Sequence, residues 1–232
     1  MVWNLRSGLP VAALAVAVVL AVPGESPRTT ETAQVAEQHG PGVSGQGLLA
    51  AASAQASPPV QRRVGYAFPV VGSVSYGRSH ALYPATDIFA PCGRRVLSPV
   101  DGTLLEVNRV DRFVKSRPKG AWRGGLFISI RGDDGVRHYG SHLRAIVRGL
   151  EPGARVKAGQ FLGRVGHTGN ASGVCHLHYG LSPVCAGTGD WWVRRGVVYP
   201  WRYLDAWHAG RWASPRAAVV RWQRRHGCPA HP

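Results

Sequence analysis

From Val64 onward the chain alternates short apolar runs with glycine and proline, and shows little of the spacing that marks an amphipathic helix. Arg94–Ser98, Gly102–Val107, Leu126–Arg131, Val136–Leu143, Gln160–Val165 and His176–Ser182 read as strands. They are separated by turn signals at intervals of roughly 10–20 residues, a pattern that predicts an all-β domain. The clearest hairpin joins Leu126–Arg131 to Val136–His142 through Gly132-Asp133-Asp134-Gly135, with β-branched residues on either side of the turn. The expected fold is therefore all-β, an antiparallel, sandwich-like sheet with few short helices. One such helix, around Tyr203–Ala209, is expected to cap the sheet within a stretch that holds Trp191, Trp192, Trp201, Trp207, Trp212 and Trp222. Two glycine-spaced stretches, Val96–Leu104 and Val156–Gly163, resemble each other and the turn-and-strand units of biotin and lipoyl carriers. Lys157, however, lacks the surroundings of a modified lysine at a hairpin tip.

The N-terminal part has a different character. Met1–Gly8 carries Arg6 and no acid, and Leu9–Val22 is an almost unbroken run of Ala, Val and Leu. A basic start followed by a short apolar run is the pattern of a secretory signal peptide, and an uncleaved N-terminal anchor is the other reading. Pro23–Pro59 is rich in Ala, Gly, Ser, Gln, Glu and Pro and has no aromatic residue. Such a segment buries too little surface to offset its ordering entropy, so it is expected to be a disordered linker. The expected organisation is thus a signal peptide or anchor over residues 1–22, a linker over 23–62, one folded domain over 63–215 and a basic C-terminal tail over 216–232.

Charge adds a partner class. The formal net charge is +16, carried almost wholly by arginine, since Lys115, Lys119 and Lys157 are the only lysines. Excess basic charge favours an anionic partner. No nucleic-acid motif accompanies it and the arginines are scattered until Arg221–Arg225, so nucleic acid is not the expected partner. For an exported protein the abundant polyanions are anionic cell-envelope polymers; an arginine-rich composition bias accounts for the same charge. Contact with a membrane is expected only through the N-terminal segment. Cys92, Cys175, Cys185 and Cys228 fit an oxidising, extracytoplasmic compartment. Sequence alone does not choose among their pairings; Cys175–Cys185 is preferred here, as a staple from the end of one strand to its following loop. The lack of a Cys-x-x-Cys pair argues against a structural zinc knuckle.

The histidines carry the chemistry. His176 and His178 lie two apart on a predicted strand, so both face one side while Cys175, Leu177 and Tyr179 face the other. Two imidazoles on one face are a natural half of a zinc site, and equally a polar pair on a wet sheet face. His138 and His142 lie four apart on a neighbouring strand, and alternation gives them a shared face with Gly140. His80 and Asp87 flank the loop Ala81–Thr86, which leads into Ile88-Phe89-Ala90. A catalytic zinc keeps three protein ligands and one open position, and this set of residues is large enough to supply both ligands and acid–base groups.

The order of these elements resembles that of the lysostaphin-type, or LytM-like, zinc endopeptidases, which cut peptide cross-links of peptidoglycan. The resemblance covers about Val71 to Pro183. It rests on Thr86-Asp87-Ile88-Phe89-Ala90-Pro91, Val100-Asp101-Gly102-Thr103, Tyr139-Gly140-Ser141-His142-Leu143, Gly159-Gln160-Phe161-Leu162-Gly163 and His176-Leu177-His178-Tyr179-Gly180. Tyr83-Pro84-Ala85-Thr86-Asp87 and Trp191-Trp192-Val193-Arg194-Arg195-Gly196 are similar to a subgroup found in actinobacteria. The resemblance implies that Asp87 and His178 bind zinc and that His142 and His176 assist catalysis beside the metal, on stem or cross-bridge peptides of peptidoglycan. In the common pattern a histidine stands four residues before the aspartate with a glycine between them, but here those positions hold Tyr83 and Ala85. His80, seven before Asp87, is the nearest upstream histidine; it completes the ligand set if the loop bulges. Without it, the chain is expected to be a catalytically incomplete relative that binds wall or activates a hydrolase.

Overall fold

The computed structural model describes residues 63–185, 190–229 and 231; the expected signal segment and linker lie outside the described residues. Nine strands are present among the described residues: β1 (Ser75–Tyr76), β2 (Thr86–Phe89), β3 (Arg95–Leu97), β4 (Gly102–Asn108), β5 (Leu126–Gly132), β6 (Val136–Ile146), β7 (Arg155–Val156), β8 (Phe161–Val165) and β9 (His176–Pro183). Three short helices follow, α1 (Trp191–Arg194), α2 (Trp201–His208) and α3 (Arg216–His226). The strands form one sheet in the order β1-β2-β9-β6-β5-β4-β7, with β8 pairing both β3 and β6. Every pairing is antiparallel. The all-β expectation therefore holds, and the predicted strands lie where the alternation put them. No helix of the described residues is long and apolar enough to cross a membrane.

Strand β6 organises the sheet. Its first half, Val136–Ser141, pairs with β9, and its last residues, Leu143–Ile146, pair with β8. The hairpin into β6 turns on Gly135, whose φ of +78° only glycine adopts without strain. One face of the sheet is apolar: Ile88, Leu104, Ile128, Ile130, Leu177, Tyr179 and Leu181 form a single buried cluster with Leu162 and Val165 of β8. Helices α2 and α3 close this face with Leu204, Trp207 and Val219. Burial of such side chains, each contributing about 1.5–3 kcal/mol, is what holds the sheet rigid enough to position polar groups on its other face.

Two structural features depart from the sequence reading. Arg216–His226, within the stretch read as a basic tail, is helix α3, and Val219 is 1 % exposed. Its arginines mask a sparse apolar stripe, which is why periodicity did not reveal it. The disulfides join Cys92 to Cys175 and Cys185 to Cys228, so the preferred Cys175–Cys185 pairing is wrong. Cys175 precedes β9 and Cys185 follows it. An extended strand of that length holds its ends on the order of 25 Å apart, far beyond the reach of about 7 Å that a disulfide requires.

The Cys185–Cys228 bridge closes a separation of 43 residues and ties the end of α3 to the end of β9. A Cys185→Ser, Cys228→Ser double variant is expected to lose about 2–4 kcal/mol of stability by urea unfolding. No change in midpoint would show that α3 is held by its apolar contacts alone.

Candidate metal centre

Register brings the polar face together. In the β2–β9 pairing Asp87 lies opposite His178 and Phe89 opposite His176; in the β6–β9 pairing Ser141 lies opposite His178. Opposed residues project from the same side of a sheet, so Asp87, His176 and His178 share the face away from the apolar core. The buried Leu177 and Tyr179 between and beyond them face the core. His80 arrives from outside the sheet. The His80 N–H donates to the Ala85 carbonyl at 2.8 Å and the Ala85 N–H to the Tyr83 carbonyl at 2.8 Å. These two bonds fold the loop back and set residue 80 beside residue 87. His80 Nε2 is 3.8 Å from Asp87 Oδ2, and one ligand atom from each of His80, Asp87 and His178 lies within 4.8 Å of the others.

His142 reaches the same cleft by a different device. Strict alternation gives it the face of His138 and Gly140, and the structure corrects this. Between the pairs Ile128–Gly140 and Leu126–Leu143 strand β6 carries one more residue than β5, so β6 is bulged there. His142 occupies the bulge with φ +65°. The conformation costs on the order of 1–2 kcal/mol for a residue with a Cβ, and it turns the ring out of phase with the rest of β6. The His142 N–H, released from the ladder, donates to the Gly124 carbonyl at 2.9 Å. His142 and His176 rings are then 4.7 Å apart, centroid to centroid. His138 stays on the core side, hydrogen-bonded to the Tyr179 hydroxyl at 2.7 Å and near Asp134.

Backbone carbonyls set the tautomers. A carbonyl can only accept, so each ring nitrogen facing one carries the proton. His142 Nδ1–H donates to the Thr168 carbonyl at 2.7 Å and His176 Nδ1–H to the Val174 carbonyl at 2.9 Å. In the neutral rings, Nε2 of both is left with a lone pair. His178 is reversed: its Nε2–H donates to the Arg195 carbonyl at 2.9 Å, which leaves Nδ1 as the electron-pair side. That Nδ1 lies 2.8 Å from Asp87 Oδ1. Two electron-pair donors at this distance repel unless a cation stands between or beside them, whether a proton or a metal ion. With His80 completing the trio, the set of two imidazoles and one carboxylate suits a divalent ion of the zinc class. The Arg195 carbonyl is the outer hydrogen bond that a metal-binding imidazole ordinarily has. The Leu82 amide approaches His80 Nδ1 only at 3.5 Å, the outer limit of a hydrogen bond, so it does not fix that ring's tautomer.

Protonation follows the same geometry. Burial works to raise the Asp87 pKa, but the hydrogen bond and charge of His178, with His176 and His80 behind it, hold the carboxyl below its ordinary value. Burial lowers the His80 pKa, against the pull of Asp87. Burial, together with the neighbouring His178 and His176, brings His142 down to about 3, so its ring is neutral near pH 7. A second trio of ligand-type atoms, Cys92, His167 and Cys175, has both sulfurs in a disulfide and offers no thiolate.

These residues line a cleft of about 340 Å³ whose walls also include Tyr83, Ser141, Trp191 and Arg195. Four of the groups that shape it were given no role from sequence. The Tyr83 ring packs on His80 at 4.3 Å between centroids. The Thr168 and Arg195 carbonyls carry no side-chain signal at all. Arg194, 5 % exposed, is bonded to Glu106 and lies over the Phe127 ring. The run Trp191–Gly196 was the signal for Arg194.

Residues 82–187 match the model of peptidase family M23. This stretch is similar to M23 peptidases and covers a little under half of the chain. The matched region begins just after His80 and contains Asp87, His142, His176 and His178. An L-Ala–D-Glu endopeptidase of Bacillus subtilis (strain 168) is 35 % identical over 132 residues, covering 54 % of this chain and 35 % of that protein. The chain thus spans about a third of the length of that curated relative. The catalytic domain of lysostaphin from Staphylococcus simulans is 22 % identical, covers 62 % of this chain and 92 % of that one, and superposes with a TM-score of 0.42. A zinc-containing peptidase from Vibrio cholerae is 24 % identical, covers 50 % of this chain and 33 % of that one, with a TM-score of 0.35.

Two expectations follow from the geometry of this site. A Cβ at Gly180 would overlap the Arg195 backbone that holds His178. Gly180→Ala is therefore expected to weaken divalent-metal affinity about tenfold or more, the usual cost of a lost outer hydrogen bond, read by competition with a chelating dye. At position 142, alanine keeps the left-handed strain and glycine does not. His142→Gly is expected to be about 1 kcal/mol more stable than His142→Ala in urea; equal stabilities would mean that the bulge relaxes when the ring is gone.

Proposed function

We propose that this chain is a zinc-dependent endopeptidase that hydrolyses peptide cross-links of bacterial peptidoglycan, acting outside the cytoplasm in the cell envelope. The observation that carries the reading is the convergence of His80, Asp87 and His178 beside two imidazoles whose Nε2 atoms face one cleft. The M23 match and the L-Ala–D-Glu endopeptidase activity named for the Bacillus subtilis relative support the substrate class. In this reading His80, Asp87 and His178 are the metal ligands and His142 and His176 the catalytic imidazoles. Residues 63–215 form the peptidase domain, residues 1–22 direct export or anchor the chain, and the basic C-terminal segment adds attraction for anionic envelope polymers.

Zinc bound by these ligands supplies an acidified water and a polarised scissile carbonyl. The protein does the rest. Of His142 and His176, one ring accepts the proton of the attacking water at Nε2 while its Nδ1–H stays anchored on a backbone carbonyl. The same Nε2–H then reaches the leaving amine, which departs protonated. The other ring, once it has taken up a second proton at Nε2 and become an imidazolium, donates to the oxyanion of the tetrahedral intermediate. Because each ring is held by a carbonyl at Nδ1, neither has to turn to exchange its proton.

His178→Ala and Asp87→Ala are expected to lose bound zinc and activity together. His142→Ala is expected to keep about one zinc per chain and lose turnover by roughly 100-fold or more, the range of a positioned acid–base group. The test is metal analysis of the purified protein, followed by incubation with peptidoglycan and chemical identification of the released ends. A zinc-free His178→Ala protein with full activity would sink the reading. A wild-type chain that binds peptidoglycan without zinc and without releasing ends would instead be a wall-binding module.

A further inference from the structure

The cleft is lined by three guanidinium groups, those of Arg123, Arg194 and Arg195, and by a single carboxylate, Asp87. Arg194 is accounted for by its bond to Glu106. Arg123 and Arg195 have no acidic partner within 4 Å among the described residues. Basic composition alone would leave such side chains waving in water. Arg195 does not: its guanidinium carbon lies 4.1 Å over the Tyr83 ring and 5.3 Å from the Trp191 ring centroid. Its Nε is buried and has no hydrogen-bond partner. A guanidinium seated over aromatic rings with Nε buried leaves its terminal Nη groups to grip a carboxylate with two parallel bonds.

The two free cations line one cleft. Burial pushes the Tyr83 phenol up, and Arg195 and Arg123 are both close enough to pull against that shift. Tyr83 packs on His80 and Arg195 lies over Tyr83, so the Arg195 charge sits at the His80 end of the cleft. The other end is apolar: Phe89 stands opposite His176 in the sheet, and Phe89 and Val174 are 41 % and 50 % exposed. A substrate lying across the ligands therefore meets hydrocarbon beside His176 and unneutralised positive charge beside His80.

We propose that Arg195, aided by Arg123, forms a carboxylate-binding subsite, so that the favoured substrates are peptides with a free carboxylate on a residue flanking the scissile amide. The inference rests on the peptidase reading above and narrows its substrate class. Two wall-peptide groups have this chemistry: the α-carboxylate of a γ-linked glutamate, and the side-chain carboxylate of a diamino acid. Arg195 is here a specificity residue; its backbone carbonyl, which holds His178, is present whatever side chain it bears.

The experiment uses the full chain and two pairs of synthetic stem peptides. One pair differs only in glutamate α-carboxylate against carboxamide, the other only in diamino-acid carboxylate against carboxamide. For each pair kcat/KM is measured on the zinc-loaded protein, and Kd by calorimetry on the metal-stripped protein. Zinc content is checked for every variant. Wild type is expected to prefer the acid of one pair by about tenfold or more in both measurements, the worth of a charge-assisted bond pair. The pair that shows the preference identifies which carboxylate is read. Arg195→Gln is expected to bring that ratio toward one while still holding zinc, and Arg195→Lys to give an intermediate ratio. Arg123→Gln is expected to lower it partly and serves if Arg195→Gln does not fold. Equal handling of acid and amide in both pairs would overturn the subsite and leave the peptidase reading standing. An undiminished preference in Arg195→Gln would overturn Arg195's part. Acid-selective binding without cleavage of any peptide would overturn the peptidase reading and keep the subsite.

Discussion

Asp87 and His178 face each other across 2.8 Å with a carboxylate oxygen on one side and an imidazole lone pair on the other. Left neutral and anionic, that pair repels, and the repulsion is imposed by the rest of the fold. The β2–β9 register puts the two residues opposite one another. The Arg195 carbonyl claims the far nitrogen and so forbids the ring from turning its N–H toward the carboxylate. The apolar cluster on the reverse face, from Ile88 to Leu181, keeps both strands from drifting apart. A sheet that stabilises itself by hydrocarbon on one side can hold such an electrostatic conflict on the other, and positive charge relieves it.

The same economy of means governs the two remaining imidazoles. Each is oriented by a main-chain carbonyl rather than by a carboxylate, Thr168 for His142 and Val174 for His176. A carboxylate behind the ring would raise its basicity; a carbonyl orients it while adding no charge to a cleft that has only Asp87 as an acid. For His142 the fold adds a strained backbone and an extra residue in β6. Strain of this kind persists only where neighbours over-determine it, and here the Gly124 and Thr168 carbonyls hold the two nitrogens nearest the bend.

Much of the sheet was legible in the chain because turn residues bound short apolar runs and strand geometry fixes the alternation of side chains, even in β9, which is buried on both faces. The shared side of His176 and His178 could be read for the same reason. His142 could not, since one inserted residue reverses parity and leaves no mark in residue type; only the β5 partner reveals it. The approach of His80 depends on two backbone bonds within residues 80–85, which any sequence with the right turn can make. Helix α3 was hidden by its arginines, and the disulfides by their distance in sequence: Cys92 and Cys175 are 83 residues apart and meet only because β2 and β9 are neighbours.

Arg195 serves the site twice, through its backbone and through its side chain, and the two contributions come from separable parts of one residue. Every amino acid brings a carbonyl, so the hold on His178 is indifferent to which side chain stands at 195. A change of side chain at 195 can therefore bring new chemistry to the cleft wall while the imidazole behind it stays aimed. A residue of this kind separates the character of the cleft wall from the aim of the imidazole behind it.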